Sequence, residues 1–331
     1  MELVEQQFGT GFVHREPEPT DRVFAAGLAE PVDWQKGFDV RNELKKKLGS
    51  SFVMPINHQY QTSSCVGQGW SKYSGVIKVM KDISPNWVEF SPRDVYSHIH
   101  LPKGGAYIIQ GGLFIRNKGI LPDEQLPPYW SGKPGLTTEE VMRDRGLEGG
   151  LESGDNANPN IYDSLRQLVK GGSVEDVAYD IDSVAKAIRD NYGCVIGVYG
   201  ENNGTWFSKF PQVGSMSWGH GLYAMGFIYI NGKKYIIVVN SWGNGIGEGG
   251  YQFLGEEWFG NNRYIGGANT ISPDVNNILR MSDLQRLYDM LEADGWLNDN
   301  YAANWNEIMK TSPVQATYID FQNYCALKKL I

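Results

Sequence analysis

The sequence predicts an α+β protein of two lobes with a helical appendage. Three observations carry that expectation. Helix-compatible segments gather in the first third of the chain, strand-like runs joined by a tight turn follow beyond residue 190, and amphipathic stretches return after residue 272. The size fits, because 331 residues leave room for about two structural units. With 10 Trp, 18 Tyr and 13 Phe there is material for a sizeable core. Forty glycines speak for many turns and close backbone approaches rather than long helices.

Taken in order, residues 1–30 are polar, and Glu16-Pro17-Glu18-Pro19 reads as an extended arm. Val40 to Leu48 is a short helix stopped by Gly49-Ser50. A polar loop from His58 to Ser64 leads into a second helical segment, Cys65 to about Lys81. Ser91 and Pro92 mark the cap and first residue of a third. Residues 120–175 are rich in Gly, Pro, Asp and Glu and are expected to be mostly loop. Within them Gly132-Lys133-Pro134-Gly135 lacks the strand–Gly-rich–helix order of a phosphate loop and reads as a surface turn.

Asp182 is the expected cap of a helix carrying Val184, Ile188 and Tyr192, with Gly193 as its stop. Cys194 to Tyr199 reads as a buried strand. Leu222–Ile230 and Tyr235–Val239 pair through Asn231-Gly232, a strong hairpin signal. Beyond Ser272, Ser282 with Gln285 forms a capping box, and Leu284, Leu287, Tyr288 and Leu291 form an apolar stripe. The expected division is an arm at 1–30, a main domain at 31–272 and a helical extension at 273–331. In that extension Trp296, Tyr301 and Trp305 are candidates for docking a partner.

Charge and composition exclude several classes. A net charge of −8 argues against nucleic acid as a partner, since phosphate contacts need a concentrated basic face. Lys45-Lys46-Lys47 reads as a solvated helix end. No stretch approaches the roughly 18 apolar residues of a membrane span. The first residues lack the basic start and apolar run of a secretory signal, so the expected location is cytoplasmic or particle-associated. Cys65, Cys194 and Cys325 are too few and scattered for a disulfide framework or a zinc site, and neither metal nor organic cofactor is expected.

A free, reactive thiol is the more interesting possibility. Cys65 stands where the polar loop turns into helix, and a helix N-terminus favours the thiolate through partial positive charge and free N–H groups. Such a nucleophile also needs an imidazole within hydrogen-bond reach, held by a third polar group. His220, between Gly219 and Gly221, opens a strand of the hairpin, whereas His14, His58, His98 and His100 lie in the arm, the loop and a helix-like segment. Asn240 ends the partner strand, just before Ser241-Trp242-Gly243. Acyl transfer needs donors where a carbonyl oxygen becomes negative. The Gln59 side chain and the Cys65 backbone N–H can supply two.

The hairpin can be checked by counting. A two-residue turn at 231–232 sets Asn240 opposite Tyr223, leaving His220 three positions along. That is roughly 10 Å at about 3.4 Å per residue. A bulge near Gly226 or a longer loop would close the gap.

Gln59 with Ser64-Cys65, then Gly219-His220-Gly221, then Asn240-Ser241-Trp242-Gly243, together resemble the papain-like cysteine peptidase family. Pro31-Val32-Asp33-Trp34 is similar to the start of the mature family domain. Gly104-Gly105 is similar to the glycine wall of its cleft, and Gly119-Ile120 with Pro128-Tyr129 to a later stretch. The resemblance spans about residues 31–270 in the family's order, with His220 and Asn240 lying 155 and 175 positions after Cys65.

It implies a helical lobe carrying Cys65 and an antiparallel, barrel-like β lobe carrying His220 and Asn240. It also implies Cys65 as nucleophile, His220 as base and later acid, and Asn240 as orienter of the ring. Gln59 would complete the oxyanion hole, Trp242 would shield the His220–Asn240 bond, and Gly104, Gly105, Gly219 and Trp242 would line the substrate cleft. The chain departs from the pattern at Val66, where an aromatic is usual, and at Thr62, where a cysteine is common.

The expected function is therefore a cysteine peptidase acting on peptide or protein substrates, without nucleic-acid or membrane partners. Amide or isopeptide hydrolysis, acyl transfer on cell-wall peptides, and a catalytically idle binding module are the alternatives. The stretch before Pro31 is short for the family's inhibitory propeptide, so residues 1–30 or the tail are expected to lie over the cleft.

Overall fold

The computed structural model describes residues 11–16, 18, 21–24, 30–60, 62–81, 85–126, 166, 173–201, 203–260, 264–272 and 288–292. Strands β1 (Arg22–Val23) and β2 (Phe38–Asp39) precede helix α1 (Val40–Leu48). Asp39 caps α1 by accepting the Arg41 N–H at 2.9 Å, and Gly49 ends it with φ of +105°. Helix α2 (Cys65–Lys81) follows, then α3 (Pro92–Ile99) and α4 (Ile108–Lys118). Ser91 caps α3, its Oγ accepting the Asp94 N–H at 3.1 Å, with Pro92 at the first helical position. The bounds of α1 and α2 and the start of α3 agree with the sequence expectation, whereas α4, which has no side-chain cap, carries no such local signal.

The next helix starts differently. Strand β3 (Val174–Asp176) precedes α5 (Ile181–Asn191), whose cap is Asp180, accepting the Ser183 N–H at 2.8 Å. Asp182, the expected cap, already lies in the first turn. It accepts instead from Trp34 Nε1 at 2.7 Å and from Lys234 Nζ at 3.0 Å, which ties α5 to the first segment and to the sheet. Tyr192, rather than Gly193, takes the left-handed position after the helix, with φ of +63°.

Strands β4 (Cys194–Gly200), β5 (Trp218–Ile230), β6 (Lys233–Val239), β7 (Tyr251–Gly255) and β8 (Ile265–Ile271) complete the fold. The sheet runs β1-β3-β8-β4-β5-β6-β7 with β2 paired to β5, and it is antiparallel throughout except between β1 and β3. Asn231 (φ +49°) and Gly232 (φ +83°) make the β5–β6 turn, the two positive φ angles a right-twisted two-residue hairpin requires.

Both faces of the sheet are covered, which explains the unbroken apolar run of β4. Val195, Tyr223, Met225 and Val239 join α1–α4 in one core cluster. Cys194, Ile196, Val198, Leu222, Ala224 and Val238 point the other way. They pack with α5 and with Trp206, Trp218, Trp242 and Trp258. The arrangement is the helical lobe plus β lobe of an α+β fold, with α2 seated against β5.

No helix among the described residues is long and apolar enough to cross a membrane. Residues 288–292 are helical and Leu291 is buried. The rest of the expected extension, including the capping box, Trp296, Tyr301, Trp305 and Cys325, lies outside the described residues. So do Pro128-Tyr129 and Gly132 to Gly135.

Candidate active site

Three backbone features set the segments that carry Cys65 and His220 side by side. The loop before α2 is tied to the end of β6 on both sides: Gln59 N–H donates to the Ser241 carbonyl at 2.7 Å, and Gly243 N–H donates to that of Asn57 at 3.0 Å. Thr62 Oγ1 donates to the Gln59 carbonyl at 2.7 Å, holding the turn that delivers Cys65 to the first position of α2. Strand β5 then passes directly beneath that helix start. A Cβ on Gly221 would sit 3.1 Å from the Val66 nitrogen and 3.2 Å from the Cys65 carbonyl carbon, so a side chain beside His220 would press on the start of α2.

The hairpin register supplies the third feature. From Ile230↔Lys233 to Gly226↔Ile237 the pairs follow the two-residue turn, but beyond it Ala224 pairs with Val238 and Tyr223 with Val239. Met225 is the extra residue, one position from the expected Gly226. Continuing that register puts Asn240 level with Leu222, an even rather than odd distance from His220. In a strand with period 2, this moves the two side chains onto one face. His220 Nε2 then donates to Asn240 Oδ1 at 3.0 Å, with both residues buried.

The other expected groups converge here too. Gln59 is buried. Its Nε2 donates to the Thr62 carbonyl at 2.8 Å and its Oε1 accepts from Ser241 Oγ at 2.5 Å, so the amide is held rigidly beside the start of α2. The Trp242 ring centroid lies 4.6 Å from that of His220 and covers the imidazole. Trp206 and Trp218 meet the same ring edge-on at 6.1 and 6.5 Å, contacts that no local sequence signal announces. Cys194 is also a free, buried thiol, pushed up by burial, but the strand that carries it offers no imidazole. His98, by contrast, is packed: its Nδ1 bonds the Asp94 carbonyl at 2.7 Å and its ring stacks on Phe114. Among the described residues no three His, Cys, Asp or Glu side chains gather to hold a metal ion.

The groove over Cys65 is filled by the chain's own arm. Gly219 carbonyl accepts Gly11 N–H at 3.1 Å and Phe12 N–H at 3.3 Å. Ala106 pairs with the arm in parallel, donating to the Gly11 carbonyl at 2.7 Å and accepting from Val13 N–H at 3.0 Å. Gly105 walls this strap, and a Cβ on it would lie 2.6 Å from the Gly11 oxygen. The Phe12 ring sits in a recess floored by Gly197, Gly266 and Gly267, with Tyr199 at 5.4 Å. A Cβ on Gly197 would reach 2.5 Å from that ring. Gly105 and Gly219 thus touch one extended segment, whereas Gly104 faces Ser63. The sequence offered no local signal for Ala106 as its pairing partner or for Phe12 as its anchor.

Burial sets the electrostatics of both groups. Burial pushes the Cys65 thiol up to about 12, against the pull of the Gly221, Val66, Gly11 and Cys65 N–H groups. Burial likewise pushes the His220 imidazole down to about 4, with the Asn240 hydrogen bond opposing the shift. The sequence alone favours a thiol ionised near neutral pH. Around both groups desolvation outweighs the helix terminus and favours the neutral form.

The profile of the papain family of cysteine proteases matches residues 36–261. Among solved structures, xylellain, a cysteine protease from Xylella fastidiosa, is similar with a TM-score of 0.60 and 17% identity, over 80% of this chain and 96% of that one. A procathepsin B from Trypanosoma congolense gives 0.58 and 13%, over 82% and 88%. Digestive procathepsin L 3 of the Tenebrio molitor larval midgut gives 0.55 and 17%, over 82% and 77%. No curated protein sequence matches the chain.

Proposed function

The chain belongs to the papain family of cysteine proteases, and from that premise we propose that it hydrolyses peptide bonds through a thioester formed on Cys65. The observation that carries this reading is the hydrogen bond from His220 Nε2 to Asn240 Oδ1, 3.0 Å long, on the strand that abuts the Cys65 helix start. With Nε2 committed to Asn240, Nδ1 is the nitrogen left to accept a proton from the thiol.

On this reading His220 Nδ1 takes the Cys65 proton as sulfur attacks the carbonyl carbon. The oxygen that becomes negative is met by the Cys65 N–H and the Gln59 amide. The carbon–nitrogen bond breaks and the amine leaves with the proton from Nδ1, giving the thioester. Water then gives its proton to Nδ1 and attacks the thioester carbon. The carbon–sulfur bond breaks, the acid departs and the thiol is restored. A substrate strand needs the place that Gly11–Val13 occupies, so the strap must leave first.

Profiling a mixed peptide library with wild type and Cys65→Ala tests the proposal. Cleavage falling by about 10⁴-fold or more on loss of the sulfur is the expected result. Equal cleavage by both proteins would overturn it, and turnover of isopeptides alone would move the reading to an amide hydrolase.

A further inference from the structure

One buried amide behind the site lies outside the catalytic roles described so far. Gln252 on β7 is fully buried, and its Oε1 accepts from Asn240 Nδ2 at 2.8 Å. Its own Nε2 donates to the Trp206 carbonyl and, at 3.3 Å, to the Ser208 carbonyl. Asn240 Oδ1 accepts both His220 Nε2 and the Ser241 N–H, the latter at 2.7 Å.

The direction of every bond in this chain follows from its anchor. Backbone carbonyls only accept, so the Gln252 NH₂ must face Trp206 and Ser208. That turns Oε1 toward Asn240, which turns the Asn240 NH₂ toward Gln252 and its oxygen toward the imidazole. Turned over, an asparagine side chain has nearly the same shape, but its NH₂ would face His220 Nε2. The ring would then carry its proton on Nδ1, the nitrogen needed to receive one from sulfur.

We propose that Gln252 is a positioning residue: together with the Ser241 N–H it sets the amide orientation of Asn240 and, through it, the tautomer of His220. This rests on the peptidase reading of Cys65 and His220 for its consequence in turnover, but not for its effect on the ring. Trp206 serves the same end twice. Its carbonyl is the first anchor of the chain, and its ring stands edge-on to the imidazole at 6.1 Å.

The test combines kinetics with a measurement that needs no turnover. Gln252→Leu, close in volume, should lower kcat by about 10²-fold while KM stays within about twofold. Added to Asn240→Ala it should cost nothing more, because both act on one ring. In Cys65→Ala protein carrying ¹⁵N-labelled histidine, His220 should hold its proton on Nε2 and shift toward the Nδ1–H form when Gln252 becomes Leu. Gln252→Glu keeps the acceptor for Asn240 and regains a donor only when protonated, so its activity relative to wild type should recover as pH falls.

An unchanged tautomer in Gln252→Leu, or losses at 240 and 252 that multiply, would overturn the proposal. If Gln252→Leu does not fold, Gln252→Met, which also lacks the amide, takes its place in both measurements. If the wild-type chain cleaves no peptide, the peptidase reading fails while the imidazole signal still judges Gln252.

Discussion

The two sides of His220 are built by opposite means. Behind the ring, Asn240, Gln252 and the carbonyls of Trp206 and Ser208 form an unbroken chain of buried hydrogen bonds, roofed by Trp206, Trp218 and Trp242. In front, the cover is a short strap held by a few backbone hydrogen bonds and by the Phe12 ring, with His14 Nδ1 bonded to the Gly266 carbonyl just beyond it. The back cannot move without leaving buried polar groups unpaired, each costing about 1–3 kcal/mol. The front can leave with its own hydrogen bonds transferred to water and about 2 kcal/mol of apolar burial lost. The difference teaches that orientation and access are assigned to separate parts of the molecule: what must be constant is internal, and what must open is an arm.

That contrast can be broken from either side. The largest effect belongs to the back. Asn240→Ala should lower kcat by about 10²-fold, since the ring loses its orientation while the nucleophile remains. Steady-state kinetics with one peptide substrate would read it, and an equal loss in KM alone would mean that the amide serves binding instead.

At the front the sign reverses. Phe12→Ala should raise kcat/KM by about 30-fold, because weakening the strap by about 2 kcal/mol increases the open fraction in proportion. Lower activity in this variant would show that Phe12 supports the fold rather than closing the groove.

The smallest effect comes from pH. The imidazole is held near 4 when covered, below its ordinary value of 6.5, so protonation favours the open state. The strap's closing energy is complete above pH 6.5 and is lost progressively as pH falls through 4. In Cys65→Ala protein the fraction with the arm released, read by the fluorescence of a probe attached to it, should therefore rise by about tenfold between pH 7 and pH 5. An unchanged fraction would separate the covering of His220 from the closing of the groove.

Much of the site was legible in the chain because its signals are local. Cys65 follows a polar loop at a helix start, Asn231-Gly232 specifies a turn, and Ser91-Pro92 marks a helix entry. Each depends on neighbours within a few positions, so composition and spacing suffice. The same logic misplaced one cap by two residues, at Asp182 rather than Asp180. Either carboxylate suits a helix start, and only the contacts of Asp182 with Trp34 and Lys234 tell them apart.

Counting along the hairpin located the bulge to within one residue, yet it could not say that a bulge existed. Gln252 carries no pattern at all: it stands in an ordinary strand sequence, Tyr251-Gln252-Phe253, and becomes meaningful only where β7 meets Asn240 and the 206–208 segment. Phe12 is as silent, one aromatic in a polar arm.

By itself, then, the sequence determined which groups are available for thiol chemistry, in what order, and on which kind of local backbone. Tertiary structure decided the rest: the one-residue slip that turns Asn240 toward His220, the Gln252 amide bonded behind it, and the burial that favours the neutral form of both Cys65 and His220. The division has a physical cause. Caps and turns are settled by forces acting over a turn or two of chain, whereas hydrogen-bond direction and desolvation depend on every atom surrounding a group. Those atoms come from segments as far apart as residues 12, 65, 206, 220 and 252.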